Sequence, residues 1–300
     1  MSDAIAYVKD LSFEYGVLER LTPNVRRLIA NNPGPFTHVG SGTYVIGQGR
    51  VAIVDPGPEL AEHTDALLAG LRGEEVTHIL VTHTHVDHSP GARALQAKTG
   101  APTYGFGPHA SGRYQRGEEV EAGADLDFVP DVVLRDSEVI EGDNFQIEAV
   151  HTPGHCSNHL CFELRQERAL FTGDHVMAWA TTVISPPDGD MGHYLGSLSR
   201  LLRRDDMVYY PTHGASIDDP KRFVDAYIKH RKNREEQVLD CLDAGLIRIE
   251  QMLPVIYAAV PVFLYPAAAR SVFAHMLHLI EQGRVQTDGA PSLDAAYRRT

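Results

Sequence analysis

The sequence predicts an α/β protein with a small helical appendage, and three observations carry that prediction. Up to residue 213, short β-branched runs bounded by glycine alternate with helix-spaced stretches. Several of those runs end directly on a histidine or aspartate flanked by Gly or Pro. From residue 219 onward the pattern is helical almost throughout. The division that follows is an α/β domain over 1–218, where strand-end loops gather metal-type ligands, and a helical domain over 219–300.

The elements follow in order. GTYVIG (42–47) and VAIVDPG (51–57) predict two adjacent strands, and HTDALLAGL (63–71) a helix. THILVTHTH (77–85) reads as a buried strand running straight into a histidine cluster, and GARALQAKTG (91–100) as a helix stopped by glycine. PTYGFG (102–107) is another short strand, whereas the acidic stretch 117–143 predicts a surface excursion carrying a hairpin. FQIEAVHTPGH, HLCFEL and RALFTGDHV are three further strands, MGHYLGSLSRLL an amphipathic helix, and MVYYPTHG a last strand ending on histidine. In the tail, residues 219–245 begin on Asp-Pro and close on Gly, which predicts one long helix. IEQMLPVIYAAVP and PAAARSVFAHMLHLIEQGRV add two more helices and then a short strand.

Composition narrows the class. A 300-residue chain with 43% hydrophobic residues can bury a sizeable core. No run approaches the length of a membrane span, and MSDAIAYVKD lacks the apolar segment of a secretory signal, so the expected location is cytoplasmic. Three cysteines at no metal-type spacing fit unpaired thiols. The net charge of −13 sits in the front of the chain, where it repels a polyanion unless metal ions or a local basic patch intervene.

The chemistry concentrates in THTHVDHSPG (82–91), where His83, His85, Asp87 and His88 crowd together at the end of a strand. Imidazole and carboxylate donors without thiolate suit Zn²⁺, with Fe or Mn as alternatives. Four ligands crowd one ion; two ions about 3.5–4 Å apart use them more naturally. That expectation calls for further ligands at later strand ends, and the sequence supplies HTPGH (151–155), Asp174 in FTGDH, and His213 in PTHG.

Together these motifs resemble the signatures of the metallo-β-lactamase superfamily. THTHVDH looks like its H-x-H-x-D-H loop, and HTPGHCSNH, LFTGDH and YYPTHG resemble its next three motifs, in order, over roughly residues 20–215. The resemblance implies an αββα sandwich with a two-metal site at one edge of the sheets. By motif, His83, His85 and His155 would hold one zinc, Asp87, His88 and His213 the other, and Asp174 would bridge them. Asp87 and Asp174 are then the carboxylates closest to the chemistry. His151 and His159 become candidates for supporting the ligands from behind, with a ligand role as the second choice. Cys156, where the family has threonine or another small residue, reads as structural. The tail, through LDAGLIRIEQMLPVIYAAVP and MLHLIEQGRV, resembles the winged-helix-like domain of the lactamase-β-like branch, which includes an animal mitochondrial endoribonuclease.

The implied reaction is hydrolysis by a metal-bridging hydroxide, made available near neutral pH because metal binding lowers the pKa of water to about 7. The leading substrate class is a small ester, thioester or lactone, with Trp179, Met177 and Tyr194 as apolar substrate contacts beyond Asp174. A metal-dependent ribonuclease is the alternative, in which the basic run KHRKNR (229–234) grips phosphates. A mononuclear iron enzyme of the persulfide dioxygenase type is a further alternative, since it keeps a similar ligand loop. A small-molecule substrate is favoured over nucleic acid, no membrane partner is expected, and a homo-oligomer stays open.

Overall fold

The computed structural model describes residues 5–111 and 123–300. Seven strands form the first sheet in sequence order: β1 (Glu19–Arg20), β2 (Val25–Ile29), β3 (Gly42–Gln48), β4 (Arg50–Val54), β5 (Glu75–Leu80), β6 (Thr103–Gly105) and β7 (Val132–Val133). β1 to β4 run antiparallel, and β4 to β7 are parallel. Helices α1 (Ala61–Gly70) and α2 (Gly91–Thr99) make the crossovers. The second sheet has the order β12-β11-β10-β9-β8, from β8 (Val139–Glu141), β9 (Gln146–His151), β10 (Leu160–Leu164), β11 (Ala169–Gly173) and β12 (Val208–Pro211). β11 and β12 are parallel and are joined through α3 (Met191–Leu201).

Strand alternation sorts the apolar residues into layers. Tyr44, Ile46, Ala52 and Val54 of the first sheet face Ile147, Ala149, Phe162, Phe171 and Tyr210 of the second, and together they fill the space between the sheets. Their neighbours point outward. Val45, Val51, Ile53 and Ile79 pack under Leu67, Leu71, Ala92 and Leu95 of α1 and α2. Val150, Cys161, Leu170 and Tyr209 pack under Tyr194, Leu198 and Leu201 of α3. Four layers result, helix–sheet–sheet–helix, as the motifs imply. Burying each large side chain contributes about 1.5–3 kcal/mol before conformational entropy is counted.

The long tail helix, α4 (Pro220–Asp243), starts as its sequence requires: Asp219 accepts from the Arg222 amide at 3.3 Å and Pro220 fills the first turn. It belongs to two cores. Phe223, Val224 and Tyr227 pack on α3 and the second sheet. Val238, Leu239 and Leu242 pack instead with α5 (Ile249–Ile256) and α6 (Tyr265–Glu281). The division expected at 218/219 therefore falls at the start of a helix that ties both parts together. A hairpin of β13 (Val285–Thr287) and β14 (Tyr297–Arg299) completes the helical part as its wing.

Two differences from the sequence reading stand out. β1 and β2 are absent from that reading, because charged residues interrupt their apolar pattern (ER, VRRLI). The stretch 117–143 carries no hairpin among its described residues; 117–122 lie outside them. Instead β7 joins the first sheet and β8 the second, so this segment carries the chain from one layer to the other. Among the described residues no helix is long and apolar enough to cross a membrane.

Candidate metal centre

The ligand loops all emerge at one edge of the two sheets. β5 ends at Leu80, and the chain then turns through His83, His85, Asp87 and His88 before α2. Gly91 lets α2 start hard against the loop after β4, since a Cβ there would meet the Pro56 carbonyl oxygen at 2.5 Å. The Pro153-Gly154 turn brings His155 in from β9. Gly154 adopts φ 143° and lies so close to α3 that a Cβ would meet Tyr194 Cα at 2.4 Å. Asp174 follows β11, and His213 follows β12.

The ligand atoms converge in two adjacent groups. In the first, His83 Nε2 lies 3.0 Å from His85 Nδ1, which lies 3.2 Å from His155 Nε2. In the second, His213 Nε2 is 3.1 Å from Asp87 Oδ2 and 3.3 Å from Asp174 Oδ1, while His88 Nε2 is 3.5 Å from each of those oxygens. The other Asp174 oxygen reaches toward the first group, 3.8 Å from His155 Nε2. Ligands at about 2.0–2.1 Å around a tetrahedral ion are separated by about 3.3 Å, so both groups already have the edge lengths of a coordination shell. His88 Nε2, His213 Nε2 and Asp174 Oδ1 are buried and face only one another and Asp87 Oδ2, as ion pairs rather than well-formed hydrogen bonds. Buried polar atoms left in this condition are costly unless something else engages them. The donor set fits divalent metal.

The opposite ring nitrogens are tied down. His155 Nδ1 donates to the Val183 carbonyl at 2.7 Å, His213 Nδ1 to the Gly40 carbonyl at 3.2 Å, and His88 Nδ1 to Asp55 Oδ2 at 2.8 Å. Thr82 Oγ1 gives its proton to Asp55, so it accepts from His83 Nδ1 at 3.0 Å. Asp55 is the hub. Fully buried, it accepts from the Thr82 amide, the Thr82 and Thr212 hydroxyls and His88, each at 2.8 Å. It therefore sets two loops at once, a familiar arrangement behind metal ligands. Sequence reading misses Asp55 as a functional residue, because VAIVDPG reads as a strand end and its partners lie far along the chain. The available sign is a carboxylate placed straight after a wholly apolar run.

Electrostatics divide the site. Burial pushes His83 well below the imidazole range and His155 down to about 4, so these rings stay neutral and present lone pairs. Burial also opposes charge on His88 and His213. The carboxylates of Asp87, Asp174 and Asp55 nevertheless hold His88 well above its ordinary value, and Asp174 and Asp87 raise His213 to about 10. Those two histidines in turn keep Asp87 and Asp174 well below the carboxylate range despite burial. This half is a set of ion pairs whose protons a divalent cation would replace.

The seven residues assigned by motif all meet here: His83, His85, Asp87, His88, His155, Asp174 and His213. The supporting candidates part ways. His159 is buried behind Asp174, accepting from its amide at 3.3 Å and donating to Thr152 Oγ1 at 2.9 Å. His151 stays away from both groups: it stacks on Phe106 at 4.1 Å and donates to the Ser157 carbonyl. Two of the three expected substrate contacts are corrected. Tyr194 is 0% exposed, and its hydroxyl donates to the His175 carbonyl at 2.8 Å, because α3 turns it into the core. Met177 is 5% exposed, and its amide and carbonyl are both bound to the Tyr227 hydroxyl. Trp179 alone is half-buried, stacked on His38 at 4.8 Å and close beside Gly214, the residue after His213. Cys156, read as structural, has its Sγ 3.4 Å from His85 Nε2.

The basic run is also placed. Arg231 is buried, with its guanidinium 5.2 Å from the Tyr194 ring centroid and donating to the Thr182 carbonyl. Arg234 lies 4.4 Å from the Tyr257 ring centroid and donates to the Ile256 carbonyl. Arg231 thus packs α4 on the sandwich, and Arg234 packs it on the end of α5.

Comparison with known proteins agrees with the geometry. Residues 37–213 match the model of the metallo-beta-lactamase superfamily, and residues 249–293 that of the beta-lactamase associated winged helix domain. The chain is 30% identical over 295 residues to lactamase-like protein adaB of Aspergillus niger, covering 92% of this chain and 86% of that one. It is 31% identical over 235 residues to an atrochrysone carboxyl ACP thioesterase of Claviceps purpurea, covering 77% and 68%. The fold is shared with a metallo-beta-lactamase family protein of Thermus thermophilus, at a TM-score of 0.76 and 24% identity over 94% of this chain and 100% of that one. The chain belongs to the metallo-β-lactamase superfamily and is a hydrolase that carries the associated winged helix domain.

Proposed function

We propose that the protein is a two-zinc hydrolase of acyl thioesters, with His83, His85 and His155 on one ion, Asp87, His88 and His213 on the other, and Asp174 shared. The observation that carries this reading is the convergence of seven ligand residues in two adjacent groups, three of whose buried atoms face only one another and Asp87. Thioester is chosen within the ester–thioester–lactone class because similar chains are named acyl carrier protein thioesterases.

Zinc bound there would supply Lewis acidity toward a carbonyl and a water of lowered pKa. The rest is the work of the chain. The outward ring nitrogens are fixed, so the inward lone pairs are pre-aimed and little reorganisation is left for turnover. His159 holds the Asp174 backbone, which places one carboxylate oxygen toward each group. Trp179 stands beside Gly214, the residue after His213, as the surface against which an acyl group can lie. A thioester suits such a site: its leaving thiolate derives from a thiol of pKa about 8.5 and needs little help from a general acid. A phosphodiester fits less well, because Arg231 and Arg234 are already committed to internal carbonyls and rings.

The test is a panel of acyl carrier protein thioesters, acyl N-acetylcysteamine thioesters, p-nitrophenyl esters, lactones, phosphodiesters and single-stranded RNA on the zinc-loaded protein. Thioesters are expected to lead in kcat/KM by about tenfold or more, with a flat response to salt. RNA or phosphodiester cleavage that leads the panel and falls steeply with salt would overturn the proposal.

A further inference from the structure

Four of the five histidines that point into the centre have their opposite nitrogen anchored on oxygen: His83 on Thr82, His88 on Asp55, His155 on Val183 and His213 on Gly40. His85 presents the reverse edge of its ring. Its Nδ1 joins the other ligand nitrogens, at 3.0 and 3.2 Å, which leaves Nε2 as the outward atom. With Nδ1 inward as an acceptor, Nε2 carries the ring proton. The atom facing it is Cys156 Sγ at 3.4 Å, within the range of an N–H···S hydrogen bond. Cys156 is 0% exposed and sits next to His155 in the turn pinned on α3 by Gly154. The thiol is therefore held by the same turn that delivers a second ligand.

We propose that Cys156 is a positioning residue for the metal centre: its sulfur accepts from His85 Nε2–H, fixes the tautomer that turns Nδ1 inward, and sets the ring plane. Its sulfur lies within 4.8 Å of ligand-type atoms of His83, His85 and His155, but its hydrogen bond is to the nitrogen on the far edge of the His85 ring, so it acts through His85 and is not itself a ligand. The inference rests on the metal-centre reading above. Groups behind metal ligands typically change metal affinity by about 10–100-fold when removed, and a sulfur acceptor belongs near the lower end of that range.

The test measures zinc dissociation constants by chelator competition on the metal-depleted protein and its Cys156→Ala and Cys156→Ser variants, together with Co²⁺ absorption spectra. Cys156→Ala is expected to weaken one of the two binding steps about tenfold and leave the other unchanged. Cys156→Ser, which keeps an acceptor, should recover most of the loss. In a His85→Ala background the Cys156→Ala change should have no further effect, which separates positioning from general destabilisation. Unchanged zinc affinity in Cys156→Ala would overturn the inference. So would a thiolate-to-cobalt charge-transfer band that disappears in Cys156→Ala, because the sulfur would then be a ligand. A wild-type chain that binds no zinc would sink the metal-centre reading itself.

Discussion

Two histidine clusters occupy this molecule, and they are built from the same residue types to opposite ends. At the sheet edge, ligand atoms from five histidines and two aspartates converge, and three of the buried ones face only other ligand atoms, without a well-formed hydrogen bond. Between α4 and α6, Glu235 receives His278 Nδ1 at 2.7 Å and His275 Nδ1 at 3.4 Å through one carboxylate oxygen. There the donors satisfy the acceptor. His275 Nε2 and His230 Nδ1 also lack partners, but among the described residues no third donor gathers with them. The second cluster clamps helices together. Ligand chemistry is thus recognised by several ligand atoms converging on one another, with residue type as only the first condition.

The contrast can be broken from either side. The largest effect should come from Asp174→Ala, which removes an oxygen from both ligand groups. Loss of several kcal/mol of electrostatic stabilisation corresponds to about a thousandfold or more in turnover, accompanied by reduced bound metal in elemental analysis. Asp55→Ala comes next. It leaves the donors of Thr82, His88 and Thr212 buried without their acceptor and should cost about 3–5 kcal/mol in chemical denaturation of the metal-free chain. Asp55→Asn, which keeps an oxygen, should cost less.

The helical clamp predicts a pH signature. Burial opposes the charge of Glu235, yet His275 and His278 hold its pKa down at about 2, below the ordinary carboxylate value. Its contribution is present above about pH 4.5 and fades as pH falls through the folded value. His278 is raised by Glu235, so its share is complete below the ordinary imidazole pKa and is lost as pH climbs through its raised value. His275 is lowered to about 4 by burial, so acid below its ordinary value also works against the fold. The stability difference between wild type and Glu235→Gln should therefore be widest near pH 5–6.5 and narrow on both sides, by about 1 kcal/mol in urea titrations. The smallest effect belongs to Lys229→Ala/Lys232→Ala. Thioester hydrolysis should be unchanged and independent of salt, because neither side chain serves the sheet-edge site in this reading.

Much of the sheet-edge cluster was legible in the sequence because every ligand loop directly follows an apolar strand, so local order in the chain maps onto proximity at one edge. What could not be read was whatever depends on contact across the fold. Asp55 and its threonine partners lie 27 and 157 residues apart in sequence. Cys156 meets His85 from 71 residues away. Tyr194 and Met177 look exposed in the sequence because they follow the Asp174 motif, but α3 and Tyr227 turn both inward. The stretch 117–143 reads as one surface excursion carrying a hairpin, but β7 and β8 within it belong to different sheets. The basic run 229–234 carries no visible sign that its arginines turn inward, since Glu235 and Glu236 beside it read as a solvated face.

In the function proposed above, the sheet-edge groups hold two zinc ions that the reaction requires. The most direct test is elemental analysis of the purified chain, paired with thioester turnover before and after chelation and after zinc is restored. Two zinc ions per chain are expected, with activity lost on chelation and regained in step with the second ion. One iron per chain, or full turnover by the metal-depleted protein, would contradict it.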